Sequence, residues 1–261
     1  MKKILLVISL IASGLAVNAQ SFNIGLGGGI YSTWLVNKNV SDQGDDLDFA
    51  VTFGGQIGPN MNYYFNDKIG LSLGLLFTGH NQKYTGDLSP TESFEAKTKL
   101  RYLDIPFLVR FGGGGKGAYF EFGPQMSILL SASEDLESTP ANSYLFLDHE
   151  GKDVKKNFSS SGFAAMMGFG VDIDASEQIT VTTGLRLGYG FTDATQEYTQ
   201  PEAEILYFAD QLALSSYYAH IDDDSNFKYK STNRAFGGLF LSVTYKIPAG
   251  GSKSTAVPDT K

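Results

Sequence analysis

The sequence has no cysteine. Disulfides, cysteine-ligated zinc and a thiol nucleophile are therefore excluded, as is a lipid-modified N-terminal cysteine. Proline is scarce, at 8 of 261 residues. Beyond the first twenty residues no apolar run reaches the roughly 18 residues that a membrane-crossing helix needs. Positive charge is in deficit, with 20 Lys and Arg against 28 Asp and Glu. Without Lys2 and Lys3 the balance is 18 against 28, which argues against binding nucleic acid. What the chain has in quantity is glycine and aromatic residues: 30 Gly, 14 Tyr and 19 Phe. The length admits one large domain or two small ones, and this composition favours one.

The first nineteen residues read as a cleaved export signal. Lys2 and Lys3 form a basic start, Ile4 to Val17 is apolar apart from Ser9 and Ser13, and Val17-Asn18-Ala19 places a small residue before a cut at Gln20. The alternative is an N-terminal membrane anchor, against which stand the short run and the polar Gln20-Ser21 that follows.

After residue 20 the chain switches repeatedly between polar stretches and segments in which side chains alternate in character, the period-two pattern of strands. Eight such segments are expected, at about 22–36, 49–65, 69–83, 97–111, 118–131, 158–174, 179–192 and 233–247. In the seventh, Ile179, Val181, Leu185, Leu187, Tyr189 and Phe191 share one face, opposite Thr180, Thr182, Gly184, Arg186 and Gly188. In the eighth, Leu239, Leu241, Val243, Tyr245 and Ile247 oppose Gly238, Phe240, Ser242, Thr244 and Lys246.

A soluble sandwich or lipocalin-like barrel also alternates, with the apolar face inward. Three features favour the reverse arrangement. The polar face is rich in glycine and carries isolated charges, Asp104, Arg110, Glu121, Asp172 and Arg186, which suits the narrow interior of an eight-stranded barrel. Aromatic residues gather near segment ends, at Tyr63, Tyr64 and Phe65, then Tyr189, Phe191 and Tyr245, as in interfacial girdles. The connections alternate in length. Those at 66–68, 112–117 and 175–178 are short, and those at 37–48, 84–96, 132–157 and 193–232 are long. Short turns at one rim and long loops at the other make the plan of a transmembrane barrel, with both termini on the short-turn side. The fold class expected is all-β: an eight-stranded antiparallel up-and-down transmembrane barrel over 20–247, followed by a polar tail at 248–261. Ten strands is the alternative, with part of 193–232 forming another hairpin.

The order of these features, with Tyr102-Leu103-Asp104-Ile105-Pro106-Phe107-Leu108-Val109-Arg110, a Gly-rich turn and a strand containing Phe122-Gly123-Pro124, resembles the PorT-like outer-membrane β-barrel proteins of Bacteroidetes. Gln20 after the expected cut is also similar to exported proteins of that phylum. The resemblance spans about 22–247 and is most specific at 102–106. It implies a fold and an outer-membrane location; the family's namesake is linked to a gliding-associated secretion apparatus. Many such barrels end on an aromatic residue, whereas here a polar tail follows and Tyr245 stands as an internal counterpart.

Five charges expected inside, Asp104, Arg110, Glu121, Asp172 and Arg186, read as a salt-bridged plug or as a pore's selectivity network. The plug is preferred, because eight strands leave little space for water. His80, His149 and His220 fall at or beyond the long-loop rim. A hydrolase site there needs a nucleophile within reach of a general base, and no Gly-x-Ser-x-Gly motif accompanies them. Asp222-Asp223-Asp224-Ser225-Asn226 lacks the spacing and closing Glu of a calcium loop and reads as a hydrated loop, as do the acidic stretches 42–48 and 134–137. The Gly-rich stretches 25–29 and 112–115 precede no helix carrying a Lys–Ser/Thr pair and read as structural. In the longest loop, 202–216 has loose helical periodicity, and Tyr207, Phe208, Tyr217 and Tyr218 are candidates for binding a partner.

The expected function is therefore non-enzymatic: anchoring, adhesion, or assembly and secretion support through long external loops. A small pore, an outer-membrane enzyme and a soluble periplasmic binding barrel are the alternatives. No cofactor or metal is expected. The partners expected are outer-membrane lipid and lipopolysaccharide, the barrel-assembly machinery and a protein at the loops.

Overall fold

The computed structural model describes residues 21–44, 47–66, 68–112, 116–141, 148–209, 211–222 and 224–248. The expected signal at 1–19 and the tail beyond Pro248 lie outside the described residues. Among the described residues the chain forms eleven strands: β1 (Ser21–Asn37), β2 (Asp48–Ala50), β3 (Phe53–Asn66), β4 (Ile69–Gly74), β5 (Leu76–Ser89), β6 (Glu92–Gly112), β7 (Gly117–Thr139), β8 (His149–Asp153), β9 (Ser161–Asp174), β10 (Ile179–Gly190) and β11 (Thr232–Pro248). Three α-helices accompany them: α1 (Lys38–Asp42), α2 (Gln200–Phe208) and α3 (Leu214–His220).

All pairings are antiparallel, and they close. The first and last strands run side by side from Ser21 opposite Pro248 to Asn37 opposite Thr232. From β1 the ring continues through β3, β4 with β5, β6, β7, β9, β10 and β11, a circuit of eight positions in an eleven-stranded sheet. Both β4 and β5 lie between β3 and β6 and form one strand interrupted at Leu75. The interruption faces Pro59, whose carbonyl accepts the Leu75 N–H at 2.9 Å but which has no N–H to return. β2 continues β3 past a break at 51–52 and pairs with β5. β8 adds to the upper part of β7. The circuit leaves no open edge through the ring, which satisfies backbone polar groups without water.

The faces settle which side is apolar. Outward-pointing residues include Leu26, Ile30, Phe53, Ile57, Phe77, Phe169, Phe191 and Leu239, each at least half exposed. Their neighbours one residue along point inward and are polar and buried: Gln56, Asp104, Arg110, Glu121, Gln125, Thr182, Arg186 and Thr244. A soluble barrel has the opposite arrangement. Tyr64, expected at a girdle, points inward and is buried. Tyr63 and Phe65 stay together at the rim, with ring centroids 5.1 Å apart. Lumen glycines make room for the bulkier side chains. A Cβ on Gly188 would stand 2.2 Å from the Phe236 ring, and one on Gly168 2.9 Å from Glu121 Oε1.

The short turns lie where expected, at 66–69, 112–117 and 174–179, on the same rim as Ser21 and Pro248. The long-loop rim departs from expectation. The segment 84–96 is not a loop: β5 and β6 continue as a paired hairpin to Ser89 opposite Glu92. β7 continues beside β6 to Thr139 opposite Ser93. The polarity of the two faces inverts along these strands. On β6 the outward residues run Leu103, Ile105, Phe107, then above them Arg101, Lys99, Lys97, Glu95; the buried ones run Arg110 and Asp104, then Tyr102, Leu100, Ala96 and Phe94. Period-two alternation persists while its sign changes, so the strand outlasts the apolar-out pattern.

Candidate functional site

The five predicted interior charges are all buried in the lumen, and four of them form two pairs. Arg110 on β6 donates from Nη2 to Asp172 Oδ1 on β9 at 2.8 Å. Thr182 donates to the same oxygen at 2.6 Å, and Tyr64 donates its phenolic hydrogen to Oδ2 at 3.3 Å. Arg186 on β10 donates from Nε to Glu121 Oε1 on β7 at 2.7 Å. Each guanidinium also lies over a ring: Arg110 3.6 Å from the Tyr119 centroid, and Arg186 3.4 Å from that of Phe240. Charge neutralised by a direct partner and covered by an aromatic face is a stable way to fill a narrow interior. Asp104 stands apart from both pairs; the charge that bears on it is Arg234.

Arg234 is a lumen residue that sequence reasoning missed. It donates to Ser127 Oγ at 2.6 Å and lies 4.1 Å from the Tyr102 ring centroid. Its position one alternation step inward from Ala235 was a signal for it. His80, expected at or beyond the rim, is buried inside the wall, with Nε2 3.2 Å from Trp34 O. Tyr31, Gln56, His80 and Asp104 border a cavity of ≈ 10 Å³, about the room of one water molecule.

Above this polar plug the interior turns apolar and the loops fold into it. One cluster joins Leu35, Leu100, Tyr102, Leu129 and Ala132 of the wall to Val154, Phe158, Ala194 and Ala213 of the loops. A second joins Tyr84, Phe94, Ala96 and Leu136 to Val40, Leu47 and Leu214, with Phe49 and Tyr218 against it. The long loops thus form a cap, bolted down by buried polar residues. Glu134, expected in a hydrated acidic stretch, is 1% exposed, and both its oxygens lie 3.1 Å from Leu214 N at the start of α3. Asn157 Oδ1 accepts from Ala213 N at 2.7 Å. Asp193 closes the base of the longest loop, accepting from Thr195 N and Thr232 N through Oδ1 and from the Tyr229 hydroxyl through Oδ2. Burial and this bond raise the Tyr229 pKa above its ordinary value. Asn39 donates to Ala219 O and Lys228 O, tying the first long loop to the last.

The expected helix at 202–216 is two helices, split at 209–213. α2 starts on the glutamate half of a capping box: Thr199 N and Oγ1 both donate to Glu202 Oε2, at 2.9 and 2.7 Å, and Pro201 occupies the first turn. That Thr-x-x-Glu spacing was legible in the sequence. The Thr199 contacts hold the Glu202 carboxyl below its ordinary pKa. His220 ends α3 with both ring nitrogens engaged. Nε2 accepts from Tyr198 N at 2.8 Å, so Nδ1 carries the hydrogen and donates to Ser216 O at 2.7 Å. Tyr198, Phe227 and Tyr229 surround it with ring centroids at 5.6, 5.6 and 4.6 Å. Burial lowers its pKa. Asp222, close to the histidine in sequence, accepts from Asn226 N at 2.8 Å within its own turn; Asp223 lies outside the described residues.

Of the loop aromatics, Tyr218 is partly buried in the cap, and Tyr217 faces a cleft between α2 and α3. That cleft, about 480 Å³, is lined also by Gln200, Ala203, Glu204, His220 and Phe227. The backbones of Tyr207 and Phe208 end α2; their side chains lie outside the described residues.

Residues 18–196 match the family described as outer membrane protein beta-barrel domain. Among curated proteins, none matches this chain. Among solved structures, the chain is similar to the outer membrane protein OprG of Pseudomonas aeruginosa, at 13% identity and a TM-score of 0.37, over 88% of this chain and 97% of that one. It is similar also to Neisserial surface protein A, at 13% identity and 0.38, over 87% and 97%. The attachment invasion locus protein Ail of Yersinia pestis, solved with a heparin analogue, matches at 10% identity and 0.34, over 88% and 100%.

Proposed function

The chain belongs to the outer membrane protein beta-barrel domain family, and on that premise we propose that it is an eight-stranded transmembrane barrel that acts non-enzymatically through its external cap. The roles in view are anchoring, adhesion, or support of assembly and secretion. In this reading an export signal at 1–19 is removed, the chain is kin to the PorT-like group of Bacteroidetes, and the short-turn rim faces the periplasm.

The observation that carries the reading is the double closure of the barrel. The Arg110–Asp172 and Arg186–Glu121 pairs fill the lumen, and the apolar cap seals the long-loop mouth. A pore needs a continuous wet path, and the polar cavity beside Asp104 holds about one water. The cap offers solvent Ile205, 67% exposed on α2, and the half-buried Tyr217 at the cleft between its helices. A partly exposed aromatic beside an exposed aliphatic residue on an external loop suits recognition of a protein partner. For the histidine-based enzyme reading, His220 has both nitrogens committed to backbone groups.

Planar-bilayer recording of the full chain tests this. The expected result is no steady conductance from the wild type at moderate voltage of either sign. A stable ohmic channel would overturn the plug and restore the pore reading.

A further inference from the structure

We propose that the outward face of the β5–β6 hairpin, just above the apolar band, is a docking site for an anionic phosphorylated lipid of the outer leaflet. The inference rests on the transmembrane reading above and gives it a specific lipid contact. Strand register lays the face out in rows. The topmost apolar row is Phe77, Leu103 and Ile128. One row higher, two residues or about 7 Å along the strand, Arg101 stands between Gly79 and Ser131. The next row has Lys99 between Asn81 and Ser133, and the next has Lys97 between Lys83 and Asp135. Above these the sign reverses, with Glu95 beside Glu137 and then Asp87 near the tip.

Four cations and one carboxylate therefore occupy the three rows nearest the apolar band, and carboxylates occupy the rows beyond. The placement is local. Among the described residues of the ring strands, the other arginines, Arg110, Arg186 and Arg234, are buried in the lumen, and Lys246 is at the opposite rim with Asp174. On β3, on β9 and just past the end of β10 the outward residues near the long-loop rim are Phe53, Phe163 and Phe191 instead.

Two of the four cations are paired within the sheet, and two, Arg101 and Lys97, are in no ion pair among the described residues. Lys99 meets Asp135, and Lys83 meets Glu95 at 2.5 Å. Arg101 donates from Nη1 to Asn81 Oδ1 at 2.9 Å and to its neighbouring carbonyl, leaving the rest of its exposed fork open. Lys97 lies directly opposite Lys83, and like charges facing across a ladder are destabilising. An anion over Lys97 and Arg101 meets the two cations of the patch that have no carboxylate of their own. The ligand that matches both halves of the surface is amphipathic: acyl chains against Phe77, Leu103 and Ile128, and phosphate oxygens against Arg101 and Lys97. A water-soluble polyanion matches only the upper half.

The experiment uses the full chain in phosphatidylcholine nanodiscs, with and without lipid A, and native mass spectrometry counts the retained lipid A. Each cation near an anionic bilayer surface contributes about a five-fold factor in association, so changing Lys97 and Arg101 together to Gln lowers retention about 25-fold. Glu137→Gln, on the distal rows, leaves retention unchanged. The single variant Arg101→Gln, with about a five-fold loss, serves if the double variant fails to assemble. Equal retention by wild type and Arg101→Gln overturns the proposal. Equal binding of a soluble sulfated polysaccharide, competing lipid A away, also overturns it in favour of a polymer site. Failure of the wild type to enter nanodiscs or to shift on boiling strikes the transmembrane reading instead, which separates the two.

Discussion

Both carboxylate oxygens of Glu134 lie 3.1 Å from the backbone nitrogen of Leu214, joining a wall strand to the first turn of a loop helix eighty residues later. Thr98 donates to the same carboxylate at 3.4 Å, and His149 Nε2 is 3.6 Å away. A buried carboxylate at a helix start satisfies a free N–H and favours the positive end of the helix. Replacing Glu134 with Ala is expected to cost the cap about 2 kcal/mol, while the membrane ring, lower on the same strand, keeps its pairing. Hydrogen exchange should rise at 211–220, and proteolysis within 197–222 should quicken, with the boiling-dependent gel shift intact. Unchanged protection of α3 would show that the apolar clusters hold the cap without this bond.

The lumen pair predicts a different kind of loss. Arg110 and Asp172 have side chains at most 2% exposed. Arg110→Ala leaves the carboxylate buried with only Thr182 and Tyr64 beside it, and a half-removed buried pair typically costs about 3–5 kcal/mol. Arg110→Met with Asp172→Asn removes both charges and is expected to cost clearly less than the single change. Urea unfolding in lipid vesicles, read by the gel shift, checks this. Additive losses in the double variant would mean that the two residues are not coupled.

His220 makes the cap sensitive to acid. Burial lowers its pKa in the folded state, with the bond to Ser216 O and the charges of Glu197 and Asp193 acting the other way. Protonating Nε2 also removes the acceptor for Tyr198 N–H. A histidine whose folded pKa is depressed stabilises the fold above the unfolded value of about 6.5 and loses that contribution as pH falls below it. Exchange protection at 198–220 should therefore weaken on going from neutral to mildly acid solution. His220→Gln should flatten that dependence, and a wild-type cap whose protection is constant with pH would refute the assignment.

The sequence by itself determined the barrel. Period-two alternation survives in every ring strand because successive side chains must point to opposite faces, and one face meets lipid while the other meets a narrow interior. The same alternation is enough to mark Asp104, Arg110, Glu121, Asp172 and Arg186 as inward, and the short turns at 66–69, 112–117 and 174–179 place both ends of the ring on one rim. It did not choose partners. Arg110 meets Asp172 across β7, and Arg186 meets Glu121 across β9, through ring order and register, which no local spacing encodes. Nor did it reveal the cap. On the upper parts of β5, β6 and β7 the buried face becomes apolar because loop residues, not lipid-excluded charges, lie against it; there the pattern reads as a polar loop until the loops are seen folded inside. Glu134 looked like one more acid in a hydrated stretch, and only the arrival of Leu214 from a distant part of the chain makes it a buried helix cap. Local chemistry fixes which way a side chain points. Closure of the ring decides what it meets there.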